Sequence, residues 1–390
     1  GFLCAKSMFD RSEFILDIPP RVETKEQLDR ILAHMHDHNA SDIFIYSNNK
    51  IWMRVNGRMV PVSKRKLKIN EVRSLVQVLD GTSAVGRLGD AEPIDTAYEM
   101  KEQVNVPGKE DLVLRRRRFR VNGITNITQG SNGISITIRK LSTEIVRAKD
   151  LGVEQELIDV VTSSRQGLIL VAGGTGHGKS TLLSSLISES LLDEEGNHVL
   201  VTVESPVEYV YEELDMPSSI VCQMEIGSCV KSFSRGVENT LRMAPTMIVV
   251  GEVRDKATSG VSIEASNTGH LVFATLHSNT VSSTPERFIG LFDSDAEKQK
   301  ARFDLINEAK CFIAQRLINT LDGKRVAIRE YLIFNSEVRE YLYDNMNNLT
   351  RAIKHAIKKW GRPMCVDIQR KLDAGLISEK DAQDLFKEYE

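Results

Sequence analysis

Residues 173–181 read GGTGHGKST: Gly173, four residues, then Gly178, Lys179 and Ser180. Small residues at this density let successive backbone N–H groups curl around the oxygens of a phosphate chain. Lys179 supplies a point charge for the β- and γ-phosphates, and the Ser180 hydroxyl, one residue on, is placed to ligate Mg²⁺. The chemistry on offer at Gly173, Gly174, Thr175, Gly176, His177, Gly178, Lys179, Ser180 and Thr181 is therefore binding of a nucleoside triphosphate with its metal. A Gly-rich turn between strand and helix is the blander alternative, and the complete eight-position pattern argues against it.

Further along lie acids and histidines at the ends of apolar runs. Val199 to Val203 delivers Glu204, with Glu208 four residues later, where Mg²⁺ and its waters would sit. Met247 to Val250 leads through Gly251 to Glu252, whose extra methylene relative to aspartate suits an acid that orients the attacking water, with Arg254 and Asp255 available to support it by pairing. His270 and His277 bracket the run Leu271 to Thr275. His277, at its carboxyl end, is the better reporter of a γ-phosphate; His270 and Glu208 each admit a purely structural role.

These side chains need a scaffold. Leu168 to Ala172 is an apolar strand leading into the loop, and Leu182, Leu183, Leu186 and Ile187 recur at helical spacing after it, so the loop opens a helix whose positive end points at the phosphates. Strands at 168–172, 198–203, 247–250 and 271–275, separated by helical stretches, argue for a parallel sheet flanked by helices. Upstream, Thr24 and Gln27 form a capping box for a helix carrying Leu28, Ile31, Leu32 and Met35, which Asn39 ends. SDIFIY, Lys50 to Val55 and Arg58 to Val60 read as strands, with Asn56-Gly57 as the hairpin turn. A helix from Ile69 to Leu79 follows, then strands at 118–121, 124–128 and 134–138. The first part is an α+β domain.

Arg115 to Arg118 form a charge run, ordinarily a solvated one. Arg118 and Arg120 alternate with Phe119 and Val121, so on a strand both arginines share one face, suited to phosphate or to a subunit interface. Arg139 beside Lys140 is a weaker case. Near the C-terminus, Arg351, Lys354, His355, Lys358 and Arg362 fall on one helical face opposite Ile353, Ala356, Ile357 and Trp360; the basic face is either solvated or a surface for anionic headgroups or an acidic partner. Gly361 and Pro363 close that helix, and Ser378 with Asp381 reads as the capping box of a last one.

Composition sets the bounds. The chain has 390 residues and a net charge of −3, which gives no global reason for nucleic acid to be the direct ligand. Five cysteines, Cys4, Cys222, Cys229, Cys311 and Cys365, form no CxxC pair and read as free thiols in a reducing compartment. No apolar run approaches the about 18 residues that span a bilayer. Localisation is expected to be cytoplasmic, with the protein able to lie peripherally against the inner membrane. Residues 181–230 hold ten acids and no Lys or Arg.

GGTGHGKST, VTVESPVEY, IVVGEVRD and TGHLVFATLHSN, in this order, resemble the Walker A, acidic, Walker B-like and histidine boxes of the type II/type IV secretion ATPase superfamily. The likeness is to its pilus-retraction and conjugation branch, and within that to the DotB/TraJ-type ATPases of type IVB secretion and conjugation. ASDIFIYSNNKIWMRVNGRMVPV is similar to the start of the family's PAS-like domain, and RFRVNG to the segment supplying arginines to the nucleotide. The resemblance implies an α/β RecA-like P-loop ATPase domain with an N-terminal PAS-like α+β domain and a helical C-terminal region. The divisions are 1–20 tail, 21–143 PAS-like domain, 144–150 linker, 151–335 ATPase core and 336–390 helical region. It implies Lys179 and Ser180 on phosphate and Mg²⁺, Glu204 and Glu208 in the acidic box, Glu252 as catalytic glutamate, His277 as γ-phosphate sensor, and Arg118 and Arg120 closing over ATP. Ser205 stands where that box commonly has aspartate, and His177 where the loop usually has serine; its backbone N–H is expected to serve. The partners implied are further copies in a hexameric ring and inner-membrane proteins of a secretion or conjugation apparatus. A nucleotide-gated assembly factor is the alternative function, with a nucleic-acid motor behind it.

Overall fold

The computed structural model describes residues 10–105, 110–141 and 144–390. Residues 1–9 of the expected tail, Cys4 among them, and residues 142–143 at the expected boundary lie outside it. The chain forms two units, Gly1–Thr143 and Glu144–Glu390.

In the first unit the capping box at Thr24 forms with both of its hydrogen bonds and starts the helix Lys25–Asp37. Leu28, Ile31, Leu32 and Met35 are at most 1 % exposed. At roughly 1.5–3 kcal/mol for each fully buried side chain, that stripe outweighs anything a helix of this length gains from propensity. It packs on an antiparallel sheet of β1 (Asp42–Tyr46), β2 (Trp52–Val55), β3 (Arg58–Pro61), β4 (Ile94–Val104), β5 (Val113–Thr128) and β6 (Ser131–Lys140), in the order β3-β2-β1-β6-β5-β4. Asn56 and Gly57 both adopt positive φ, the geometry a two-residue hairpin needs. The second helix is Ile69–Asp80.

Two expectations change here. The segments 118–121 and 124–128 are a single strand, β5, because β4 and β6 flank it along its length and Gly123 continues the ladder opposite Ile94. The arginine run is not a bare cationic edge either. β4 carries acids opposite or diagonal to it: Arg118, directly across from Glu99, lies 3.8 Å from it, Arg116 meets Glu99 at 2.9 Å, and Arg120 reaches Asp95 at 3.0 Å.

The second unit is built on a seven-stranded sheet of β7 (Gly167–Ala172), β8 (Val199–Glu204), β9 (Ile220–Glu225), β10 (Met247–Val250), β11 (Leu271–Leu276), β12 (Ala309–Asn319) and β13 (Arg325–Ile333). The order is β13-β12-β7-β11-β10-β8-β9, all neighbours parallel except β12 with β13. Every residue of β7 is buried. Leu168, Leu170 and Ala172 feed the core on one face, Ile169 and Val171 the core on the other, so an unbroken apolar run is what a sheet covered on both sides requires. The helix Lys179–Leu191 covers one face through Leu182, Leu183, Leu186 and Ile187. The helices Ser336–Asp344 and Leu349–Trp360 join the opposite core. The helices Met364–Asp373 and Glu379–Tyr389 cluster around Ile318 and Ile328 of the β12–β13 hairpin.

The helix Leu349–Trp360 exposes Arg351, Lys354, His355 and Lys358 as its periodicity requires. Arg362 departs from that face. It lies beyond the helix and is buried, 2.7 Å from Glu154 and 3.3 Å from Asp367, because the buried Asp367 and the partly buried Glu154 need a guanidinium more than the surface does. At the last helix Ser378 caps the Asp381 N–H at 3.1 Å, while the Asp381 carboxylate accepts from the Ser378 hydroxyl rather than its backbone, so only half of the expected box forms.

Candidate active site

Parallel packing brings the singled-out residues of the second unit, His270 excepted, to one end of its sheet. The phosphate loop follows β7, His277 follows β11, Glu252 lies two residues past β10, and Glu204 ends β8. These strands are neighbours in that order, and the Gly173 N–H donates to Leu276 O beside His277. The carboxyl end of such a sheet is where ligands bind.

The loop needs its glycines for distinct reasons. A Cβ on Gly173 would stand 2.6 Å from the Gln315 carbonyl oxygen, so the loop runs flush against β12. Gly176 and Gly178 both have φ of +77°, a conformation that costs a side-chain-bearing residue energy. Lys179 opens the helix, and its ammonium donates to the carbonyls of Gly173 at 2.7 Å and Gly174 at 3.1 Å. Burial lowers its pKa, opposed by the charges of Glu252 and Glu208, which places both carboxylates within electrostatic reach of the loop. Ser180 occupies the first helical turn, half-buried, and Thr175 and Gly176 form the exposed rim. The Thr181 hydroxyl meets the Tyr209 hydroxyl at 2.6 Å.

His177 behaves differently from expectation. Its side chain is a structural part of the loop: Nδ1 accepts the Leu317 N–H at 3.0 Å, which requires the neutral ring with the proton on Nε2. Burial, with Arg316, Arg325 and Lys179 around it, lowers its pKa and favours that form. The His177 N–H donates to Gly174 O at 3.3 Å, and the side chain adds a bond to β12 that the sequence did not show.

Glu252 and His277 form a pair. His277 Nε2 lies 2.8 Å from Glu252 Oε1, and Arg254 bonds Oε2 of the same carboxylate. The carboxylate is 15 % exposed and borders an open pocket of 340 Å³ lined also by Leu276, Arg287 and Leu291. Asp255 does not join the pair. It caps the helix Lys256–Asn267 by accepting the Thr258 N–H at 2.8 Å, a task that turns its carboxylate toward the helix. Glu204 Oε2 accepts from Thr202 Oγ1 at 2.7 Å and Gln223 Nε2 at 3.1 Å, and the same Gln223 nitrogen donates to Tyr209 O. Gln223 thereby ties the acidic segment to β9. His270 stands at the other end of β11 with Nδ1 2.9 Å from Ala265 O, away from the loop. Arg118 and Arg120 are in the first unit, on one face of β5.

The donors around the loop are hard oxygens: the Ser180 hydroxyl and the carboxylates of Glu204 and Glu208. Among the described residues no group of three His, Cys, Asp or Glu side chains could hold an ion unaided. That donor set suits Mg²⁺, which keeps several waters and completes its shell with substrate phosphates.

Residues 23–383 match the family of type II/IV secretion system proteins. The chain belongs to that family. This secretion ATPase is similar in structure to the Legionella pneumophila ATPase DotB, with 34% identity and a TM-score of 0.82 over 96% of this chain and 98% of that one. It is also similar to the pilus retraction motor PilT with bound ADP, at 28% identity and a TM-score of 0.75 over 91% and 95%. By sequence it is 31% identical over 310 residues to the type IV pilus ATPase PilU of Pseudomonas aeruginosa, covering 79% of this chain and 74% of that protein. The secretion ATPase thus has the α/β fold of its relatives and hydrolyses ATP. No helix among its described residues is long and apolar enough to cross a membrane.

Sequence reading missed Gln223, Tyr209 and Gln315. Gln315 alone left a signal, as an amide inside the apolar run of β12.

Proposed function

We propose that this secretion ATPase is a ring-forming, Mg²⁺-dependent motor that powers a type IVB or conjugative secretion or pilus machine from the cytoplasmic face of the inner membrane. The observation that carries the reading is the Glu252–His277 pair, two strands' width from a lysine-bearing phosphate loop, in a chain alignable nearly end to end with DotB. Lys179 and the loop hold the triphosphate, and Ser180 with Glu204 and Glu208 would hold Mg²⁺, which neutralises charge on the phosphates. Both oxygens of Glu252 are engaged, Oε1 by His277 and Oε2 by Arg254. When His277 turns to the γ-phosphate it releases Oε1, and that oxygen can then accept a proton from the attacking water. Sensing and activation become one movement. Arg118 and Arg120 close over ATP from the first unit, whose helices and antiparallel sheet we read as PAS-like, while 151–335 is the RecA-like core and 336–390 the helical region.

Molar mass in solution tests the assembly. With a non-hydrolysable ATP analogue the particle should have six times the chain mass, as the family resemblance implies; a monomer at all concentrations with nucleotide bound would sink the ring. Membrane vesicles carrying the apparatus should retain the protein, and vesicles lacking it should not.

A further inference from the structure

Gln315 is 5 % exposed, and its contacts converge on the phosphate loop. Its carbonyl lies under Gly173, its Nε2 is 3.0 Å from where a Cβ on Gly178 would sit, and that nitrogen donates to the His177 carbonyl at 2.8 Å. The other end of the amide is equally fixed, since Oε1 accepts from Arg329 Nε at 2.7 Å. A guanidinium can only donate and a carbonyl can only accept, so the two partners allow the amide one orientation. Arg329, 3 % exposed, is held in turn. Its Nη1 reaches Gly152 O and Glu154 at 3.4 Å, its N–H donates to Asp367 at 2.8 Å, and its carbonyl accepts from Arg362 at 3.0 Å.

A loop that offers N–H groups to an anion must turn carbonyls away from it and satisfy them elsewhere. We propose that Gln315 is a positioning residue for nucleotide binding: it holds the His177 carbonyl outward and so fixes the curl of the loop, while Arg329 locks the amide in the one orientation that can do this. The role is exerted through the loop and rests on the reading of residues 173–181 as the nucleotide site. It also ties that site to the helix Met364–Asp373, through Asp367.

Gln315→Glu isolates the effect. It has the same shape and keeps the acceptor for Arg329, while replacing the donor to His177 with a charged acceptor. Loss of that buried hydrogen bond, with a carboxylate left facing a carbonyl, should weaken ADP binding by about tenfold or more and raise the KM for ATP more than it lowers kcat. The thermal midpoint should fall as well, because a buried acceptor is left unpaired, so affinity measured on the folded protein is the deciding readout. Titration of the full chain with a fluorescent ADP analogue, alongside phosphate-release kinetics, reads all three. Unchanged nucleotide affinity, with or without a lower thermal midpoint, overturns the proposal. Should Gln315→Glu not fold, the same titration of Gln315→Met, which removes the donor without adding charge, decides. Lys179→Ala separates the two levels. If it binds ADP like the wild type, the loop reading fails; if it loses ADP while Gln315→Glu does not weaken, only the positioning role falls.

Discussion

Glu252 is the residue on which the chemistry turns. Glu252→Gln keeps the volume of the site and can still accept from His277, yet it cannot take a proton from water. Phosphate release should fall by about 10²–10⁴-fold with ADP affinity retained; turnover at the wild-type rate would remove Glu252 from the reaction. His177 gives a second residue-level expectation through pH. Its folded pKa lies below the ordinary 6.5, so on acidification the unfolded chain takes up the proton first and stability drains away as pH falls from 6.5 through the folded value. Above 6.5 the contribution is complete. His34, His36 and His198 are shifted in the same direction, each chiefly by burial, so the wild-type melting curve alone does not isolate His177. The difference between wild type and His177→Asn does: it should be flat above neutrality and shrink as pH falls below 6.5. A pH-independent difference would show that His177 is not the titrating group.

Elements were legible where a local signal fixed them. The capping box at Thr24, the Asn56-Gly57 turn and the largely apolar runs of β7, β10 and β11 each encode their structure within a few residues, and the same runs deliver Glu252 and His277 to their places. What escaped was set by partners distant in sequence. The arginines of β5 read as an open cationic face until β4 supplies Glu99 and Asp95 beside them. β12 follows the helix Asp295–Glu308 with no turn between them, and pairing with β7 on one side and β13 on the other makes it a strand. Arg362 looks like the next basic residue of an amphipathic helix, whereas Glu154, 208 positions away, draws it inside. The contact between β12 and the loop gives a prediction of its own. Gly173→Ala places a methyl group 2.6 Å from backbone oxygen, an atom that cannot swing aside, so it should cost about 1–3 kcal/mol in denaturant unfolding and weaken ADP binding as well. Ile353→Ala, on the buried face of the basic helix, should cost about 2–5 kcal/mol and leave ADP affinity as it is.

At the scale of the whole molecule, each unit has its own core. The first draws its core from residues 14–138 and the second from residues 148–385. Expressed alone, residues 144–390 should fold cooperatively and bind ADP; failure to fold would mean that its core depends on the first unit. If Arg118 and Arg120 act as proposed, that fragment should bind nucleotide but turn it over slowly, and Arg118→Ala with Arg120→Ala in the full chain should reproduce the defect. Normal turnover in both would return the arginines to a role internal to their sheet, where Glu99 and Asp95 already hold them. One bond between strand and loop offers a way to watch the second unit without any ligand. The Leu317 amide has His177 as its acceptor, beyond the point where β7 has ended, so its hydrogen exchanges with solvent only when the loop lifts. Deuterium uptake at that single amide is a clock for loop opening, and the same clock should slow when nucleotide holds the loop down.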